Sequence, residues 1–157
     1  MKTKNMLAVA YQLAADSFID KVDKQGRPYF EHCLQVMQNL NTDDDELKQI
    51  ALLHDFIEDC YSDNCSDGVS YLISLGFSIR VIHAVVALTK MQDETYESYI
   101  RILKRCKDAV LVKIADLKHN SDITRLKGLT EKDVQRMIKY HSTYLDLVAY
   151  LKEFEND

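Results

Sequence analysis

The chain has 157 residues, with 25 Asp and Glu against 20 Lys and Arg, a formal charge of −5. That balance argues against a nucleic-acid polymer or an anionic membrane as a partner held by bulk charge. One Pro and four Gly are too few turn formers for an all-β chain, and the length suits one domain over residues 1–157.

Apolar spacing is helical nearly throughout. Met6, Ala10, Leu13 and Ala14 recur at helical intervals and predict a first helix over 2–19. Tyr11, Gln12 and Asp16 interrupt its apolar residues, so it reads as an amphipathic helix and not as a targeting segment. The stretch VDKQGRPYF joins Gly26 and Pro28 and reads as a loop. Pro28 then opens a helix over 29–40, with Phe30, Cys33, Leu34, Met37 and Leu40 as its stripe. Thr42 or Asp43 caps a third helix, predicted over 44–59.

Residues 60–67 read as a polar loop, and a short helix after it ends at Gly76. Ser78 caps a helix to about Leu88, and Asp93 caps another to about Lys104. The segment 107–125 is β-branched enough to leave a strand open. Helix is preferred because it sets Asp116 and Asn120 one turn apart. Gly128 ends that element, and Thr130 opens the capping signal TEKD of a last helix to Phe154. The sum is an all-α bundle of about eight helices, with no apolar run near the roughly 20 residues of a membrane span. Cys33, Cys60, Cys65 and Cys106 form no Cys-x-x-Cys pair. They predict free thiols in a reduced, cytoplasmic protein.

The informative segment is IALLHDFIEDC, residues 50–60. On one continuous helix, His54 stacks with Glu58 and Asp55 with Asp59 on adjoining turns. An imidazole and three acids beside a buried apolar face are costly unless a cation compensates them. Imidazole nitrogen with carboxylate oxygen suits Mn²⁺, Fe²⁺ or Zn²⁺. His32 and Asp116, the latter within KIADLKHN, are the candidates for the remaining ligands. The blander reading of His54 and Asp55 is a helix-surface pair, and His83, His119 and His141 are assigned structural or solvent roles.

The order GRPYFEH, LLHDFIED, VKIADLKHNSD, with ALTK and RMIKY, resembles the HD-domain metal-dependent phosphohydrolases. Within them it looks most like the hydrolase domain of RelA/SpoT-type proteins and the small stand-alone SpoT homologues. The resemblance runs from about residue 5 to residue 150. It implies an HD-domain, PDEase-like helical bundle acting on a small nucleotide, with (p)ppGpp 3′-pyrophosphohydrolysis as the type reaction. It implies four metal ligands, His32, His54, Asp55 and Asp116, usually for Mn²⁺. Glu58 and Asp59 match the acidic pair that handles the attacking water and the leaving group. Asn120 matches a contact to the nucleotide sugar, and Lys24, Arg27, Lys113 and Lys139 align with phosphate partners.

Three departures stand out. Asp23 replaces a basic residue three before the loop Gly, and Cys33 replaces the Pro after the first metal His. The family's upstream His is also replaced, near Phe18 and Ile19. The metal centre is therefore expected intact and the nucleotide-recognition edge altered. Two other classes share these residues: an HD-type nucleotide phosphatase releasing orthophosphate, and a non-catalytic HD domain that binds a nucleotide or a protein.

Overall fold

The structure, a computed structural model, describes residues 4–156. It consists of α1 (Met6–Ser17), α2 (Tyr29–Asn39), α3 (Asp45–Leu52), α4 (Phe56–Cys60), α5 (Cys65–Leu75), α6 (Ile79–Leu88), α7 (Tyr96–Leu103), α8 (Lys107–Asn120) and α9 (Glu131–Asn156). A short 3-10 helix, Ile123–Arg125, follows α8. Among the described residues there is no β-strand, only an isolated antiparallel bridge between Val22 and Pro28. The expected all-α bundle is the architecture found, and no described helix is long and apolar enough to cross a membrane.

Two helices organise the packing. α3 buries Leu47, Ile50, Ala51 and Leu52 and lies against α1, α2, α6 and α8. Ala10 and Ala14 are the fully buried residues of α1, and their small side chains let the two helices approach closely. α8 carries apolar residues on several sides, burying Ala109, Val110, Val112, Ala115 and Leu117. It is accordingly surrounded, with α2, α3, α6 and α9 packed on it. Asp116 is buried within that same helix, so the fold places a carboxylate inside the core.

Several boundaries differ from the sequence expectation. The first helix starts at Met6, where the Asn5 side chain accepts from the Ala8 amide, and residues 2 and 3 lie outside the described chain. The cap of α3 is Asp44, which accepts from the amides of Glu46 and Leu47, while Thr42 accepts from the Asp44 amide one step earlier. Thr95, not Asp93, caps α7. The polar loop after residue 60 is shorter than expected, because α5 already begins at Cys65. α8 stops at Asn120, and residues up to 125 continue as a turn and the 3-10 helix.

The most consequential difference is in the predicted helix over 44–59. It breaks into α3 and α4, with Leu53, His54 and Asp55 in the turn between them. Leu53 and Asp55 take bridge-region dihedrals, φ −105 with ψ 7 and φ −103 with ψ 3. The Phe56 amide donates to the Leu53 carbonyl at 2.9 Å, a three-residue closure tighter than an α-turn. The metal-type His-Asp pair therefore sits on a kink and not on a smooth helix face.

Candidate metal centre

The four expected ligands come from three places in the fold. His32 lies in the first turn of α2, His54 and Asp55 lie in the kink, and Asp116 projects from the surrounded helix α8. His32, His54 and Asp116 each offer a donor atom, all within 4.8 Å of one another, and all three residues are buried. His32 Nε2 is 3.2 Å from Asp116 Oδ1 and 3.3 Å from His54 Nε2. His54 Nε2 is 3.6 Å from that same oxygen and 3.1 Å from Asp55 Oδ2. The kink matters here: it brings the side chains of adjacent residues 54 and 55 together, where a straight helix would separate them by about 100°.

The hydrogen bonds around this cluster fit a divalent cation. His54 Nδ1 is 2.7 Å from the Ala51 carbonyl. A carbonyl only accepts, so Nδ1 carries a proton and Nε2 faces the cluster, where it offers a lone pair once a cation displaces its own proton. Lys113 Nζ donates to Asp116 Oδ2 at 2.8 Å, and Asn120 Nδ2 donates to Oδ1 at 2.7 Å. The Tyr29 hydroxyl donates to Asp55 Oδ2.

Charge follows the same logic. Burial alone would raise the Asp116 carboxyl. The Lys113 ammonium and the two imidazoles outweigh it and hold Asp116 well below the usual carboxylate range. Burial also opposes ionisation of Asp55, and His54 outweighs it in the same way. Conversely, Asp55 and Asp116 pull His54 well above its ordinary value against its own burial, so the cluster attracts positive charge. Burial pushes the Cys33 thiol, next to His32, up to about 12.

A cavity of about 220 Å³ opens beside the cluster, with His32 in its wall together with Lys21, Lys24, Tyr29, Asn120 and Arg125. The chain shares its fold with a SpoT relative. A solved structure described as a metazoan ortholog of SpoT that hydrolyses ppGpp superposes with a TM-score of 0.72 at 21% identity, covering 94% of this chain and 87% of that one. That likeness bears out the expected HD-type all-α fold. No family model matches the chain, and no curated protein matches it in sequence.

The remaining sequence candidates divide. Glu58 is half-buried and lines a hollow with Ser62, Thr89 and Lys90. Its carboxyl is raised by burial and by the charge of Asp55. Asp59 is paired with Lys21, whose ammonium lies 3.8 Å from the Tyr29 ring centre. Lys24 lines the cavity. Asn120 does too, although its amide nitrogen is spent on Asp116.

Three cations stand elsewhere than expected. Arg27 is exposed and forms two hydrogen bonds to Glu31, because the hairpin directs it outward. Lys113 is committed to Asp116. Lys139 lies over the Tyr96 ring at 3.8 Å.

The departure at Asp23 also has a physical account. Its Oδ1 accepts from the amides of Gln25 and Arg27, and its Oδ2 from Arg125 at 3.0 Å. Asp23 thus closes the turn at Gly26, where φ is +79, and ties the hairpin to the end of α8. Sequence reasoning missed Lys21, Tyr29, Arg125 and His119. Tyr29 and His119 were findable, since each stands three residues from an expected ligand on the same helix. Arg125 was not, because the chain leaves the helix before reaching it.

Proposed function

We propose that the protein is a metal-dependent phosphohydrolase of a small nucleotide, with Mn²⁺ as the metal and a guanosine polyphosphate of the ppGpp kind as substrate. One observation carries this reading: the buried meeting of His32, His54 and Asp116 shares His32 with a cavity lined by Lys21, Lys24 and Arg125. The fold likeness to a SpoT ortholog that hydrolyses ppGpp supports it. The four free cysteines suit a reduced cytoplasmic setting.

When bound by His32, His54, Asp55 and Asp116, a divalent ion supplies charge neutralisation for a phosphoryl group and a lowered pKa for water. Lys24 and Arg125 bind phosphate oxygens at the cavity wall. The amide oxygen of Asn120 accepts from a sugar hydroxyl, its nitrogen being held by Asp116. Glu58 takes the proton of the attacking water and delivers it to the nucleoside oxygen as the phosphorus–oxygen bond breaks, and its raised carboxyl suits that exchange. Asp59, paired with Lys21, supports Glu58 in orienting that water.

The test is a panel of nucleoside monophosphates, nucleoside triphosphates and guanosine 3′,5′-polyphosphates with added Mn²⁺, scored for pyrophosphate and orthophosphate. Pyrophosphate from the guanosine polyphosphates is expected. Orthophosphate from monophosphates alone replaces the substrate reading with a nucleotide phosphatase, and no turnover on any substrate leaves a binding domain. Asp55→Ala is expected to abolish turnover, and a fully active Asp55→Ala protein overturns the reading. Glu58→Gln is expected to keep the metal and lose about 10²- to 10⁴-fold in rate.

A further inference from the structure

The two imidazoles of the cluster are oriented from behind in different ways. Behind His54 stands a main-chain carbonyl, that of Ala51, 2.7 Å from Nδ1. Behind His32 stands a side chain, with His119 Nδ1 2.7 Å from His32 Nδ1 and the two rings within 17° of parallel. Two ring nitrogens at that distance share a single proton, so one donates and the other accepts. His32 Nε2 faces Asp116 and His54. A nitrogen that ligates a metal presents a lone pair, so neutral His32 must carry its proton on Nδ1. His119 then accepts at Nδ1 and carries its own proton on Nε2.

We infer that His119 is a positioning residue for the metal centre, fixing the ring orientation and the Nδ1–H tautomer of His32 without touching metal or substrate. Its own placement is well determined. It belongs to α8, three residues after Asp116. Arg125 Nη1 donates to its carbonyl at 3.0 Å while Arg125 Nη2 holds Asp23. The acceptor behind His32 is therefore built from the same helix that supplies Asp116 and is braced from the loop that walls the cavity. A carbonyl cannot be mutated away, but His119 can, and this makes the role testable.

The inference rests only on the metal-binding part of the proposed reading, and the experiment separates the two. Mn²⁺ binding is titrated calorimetrically on nucleotide-free protein, with metal-free thermal unfolding as the folding control. His119→Ala is expected to bind Mn²⁺ about 10- to 100-fold more weakly than the parent protein. His119→Asn places an amide oxygen near the lost Nδ1 and is expected to restore most of that affinity, while His119→Leu does not. If the parent protein binds Mn²⁺ and His119→Ala binds it equally well, the inference fails while the metal reading stands. If the parent and His32→Ala both fail to bind, the metal reading itself fails.

Should His119→Ala not fold, nitrogen NMR on the parent protein with diamagnetic Zn²⁺ decides the matter. A proton on His32 Nδ1 and on His119 Nε2 is expected. A proton on His119 Nδ1 overturns the inference.

Discussion

Lys113 shows how burial reassigns a residue. As a lysine near nucleotide motifs it aligns with a phosphate partner, yet its ammonium sits 2.8 Å from Asp116 Oδ2 with the Tyr99 ring 5.6 Å away. Burial would lower its pKa, and Asp116 outweighs burial and raises it well above the ordinary value. It therefore neutralises one oxygen of Asp116 and leaves the other, Oδ1, to the imidazoles and the Asn120 amide. A phosphate partner, when removed, raises KM and spares stability. Lys113→Met is instead expected to destabilise the metal-free protein by about 3 kcal/mol, the order of cost for stranding one member of a buried pair. Mn²⁺ is expected to recover part of that loss by compensating Asp116 in its place. Urea unfolding with and without Mn²⁺ measures both quantities. An unchanged midpoint in the metal-free protein defeats this assignment.

At the scale of elements, the candidate ligands were readable and the kink that gathers them was not. Ile50, Leu53, Phe56 and Ile57 keep the three-to-four spacing of a buried helix face straight through the break, so hydrophobic periodicity carries no trace of it. His32, His54, Asp55 and Asp116 could still be named, because acids and imidazoles among apolar residues need compensation wherever the backbone bends. Arg27 shows the opposite limit: a hairpin of a few residues decides which way a side chain faces, and spacing does not encode that.

Arg80 on α6 gives the elements a measurable joint. Its guanidinium bonds Asp44, the cap of α3, at 2.8 Å, Glu46 at 3.1 Å, and Asp108 in the first turn of α8 at 2.8 Å. The Arg80 hydrogen bond is the largest influence holding the Asp44 carboxyl below its usual value. A lowered folded-state pKa stabilises above the unfolded value and is lost as pH falls through the folded one. Arg80→Met is expected to cost about 1 kcal/mol at neutral pH and low salt, since the pairs are partly exposed. That gap begins to close as pH falls below roughly 4, where the unfolded chain takes the proton, and is lost only lower still, where folded Asp44 takes it. Unfolding curves from pH 7 down to about pH 3 check it, and a gap that persists undiminished in acid contradicts it.

For the whole molecule, an acidic chain meets an anionic substrate only by local arrangement of charge. Asp55 and Asp116 belong to the cluster, and Asp23 is neutralised by Arg125. The cavity consequently presents Lys24 from a chain of net charge −5, with Lys21 in its wall paired to Asp59. A metal bound only by the folded form must also raise global stability. With Mn²⁺ in roughly hundredfold excess over its Kd, the gain is about 2.7 kcal/mol, or about 5–10 °C in Tm for a chain of this length. A chelator is expected to reverse the rise, and Asp55→Ala to show much less of it. Calorimetric scans that do not respond to Mn²⁺ in the parent protein argue against a site of useful affinity.

The position of α8 has a consequence for how this chain can vary. Lys113, Asp116 and Asn120 fall within about 60° of one another around its axis, and four other helices fix the rotation of that axis from outside. One residue inserted before Lys113 would swing all three side chains through about 100° together. No single substitution could restore them. An added residue near Ser62 or Asp63, on the exposed turn between α4 and α5, meets no such lock. Length changes are thus tolerated at the rim of this molecule and forbidden along its central axis.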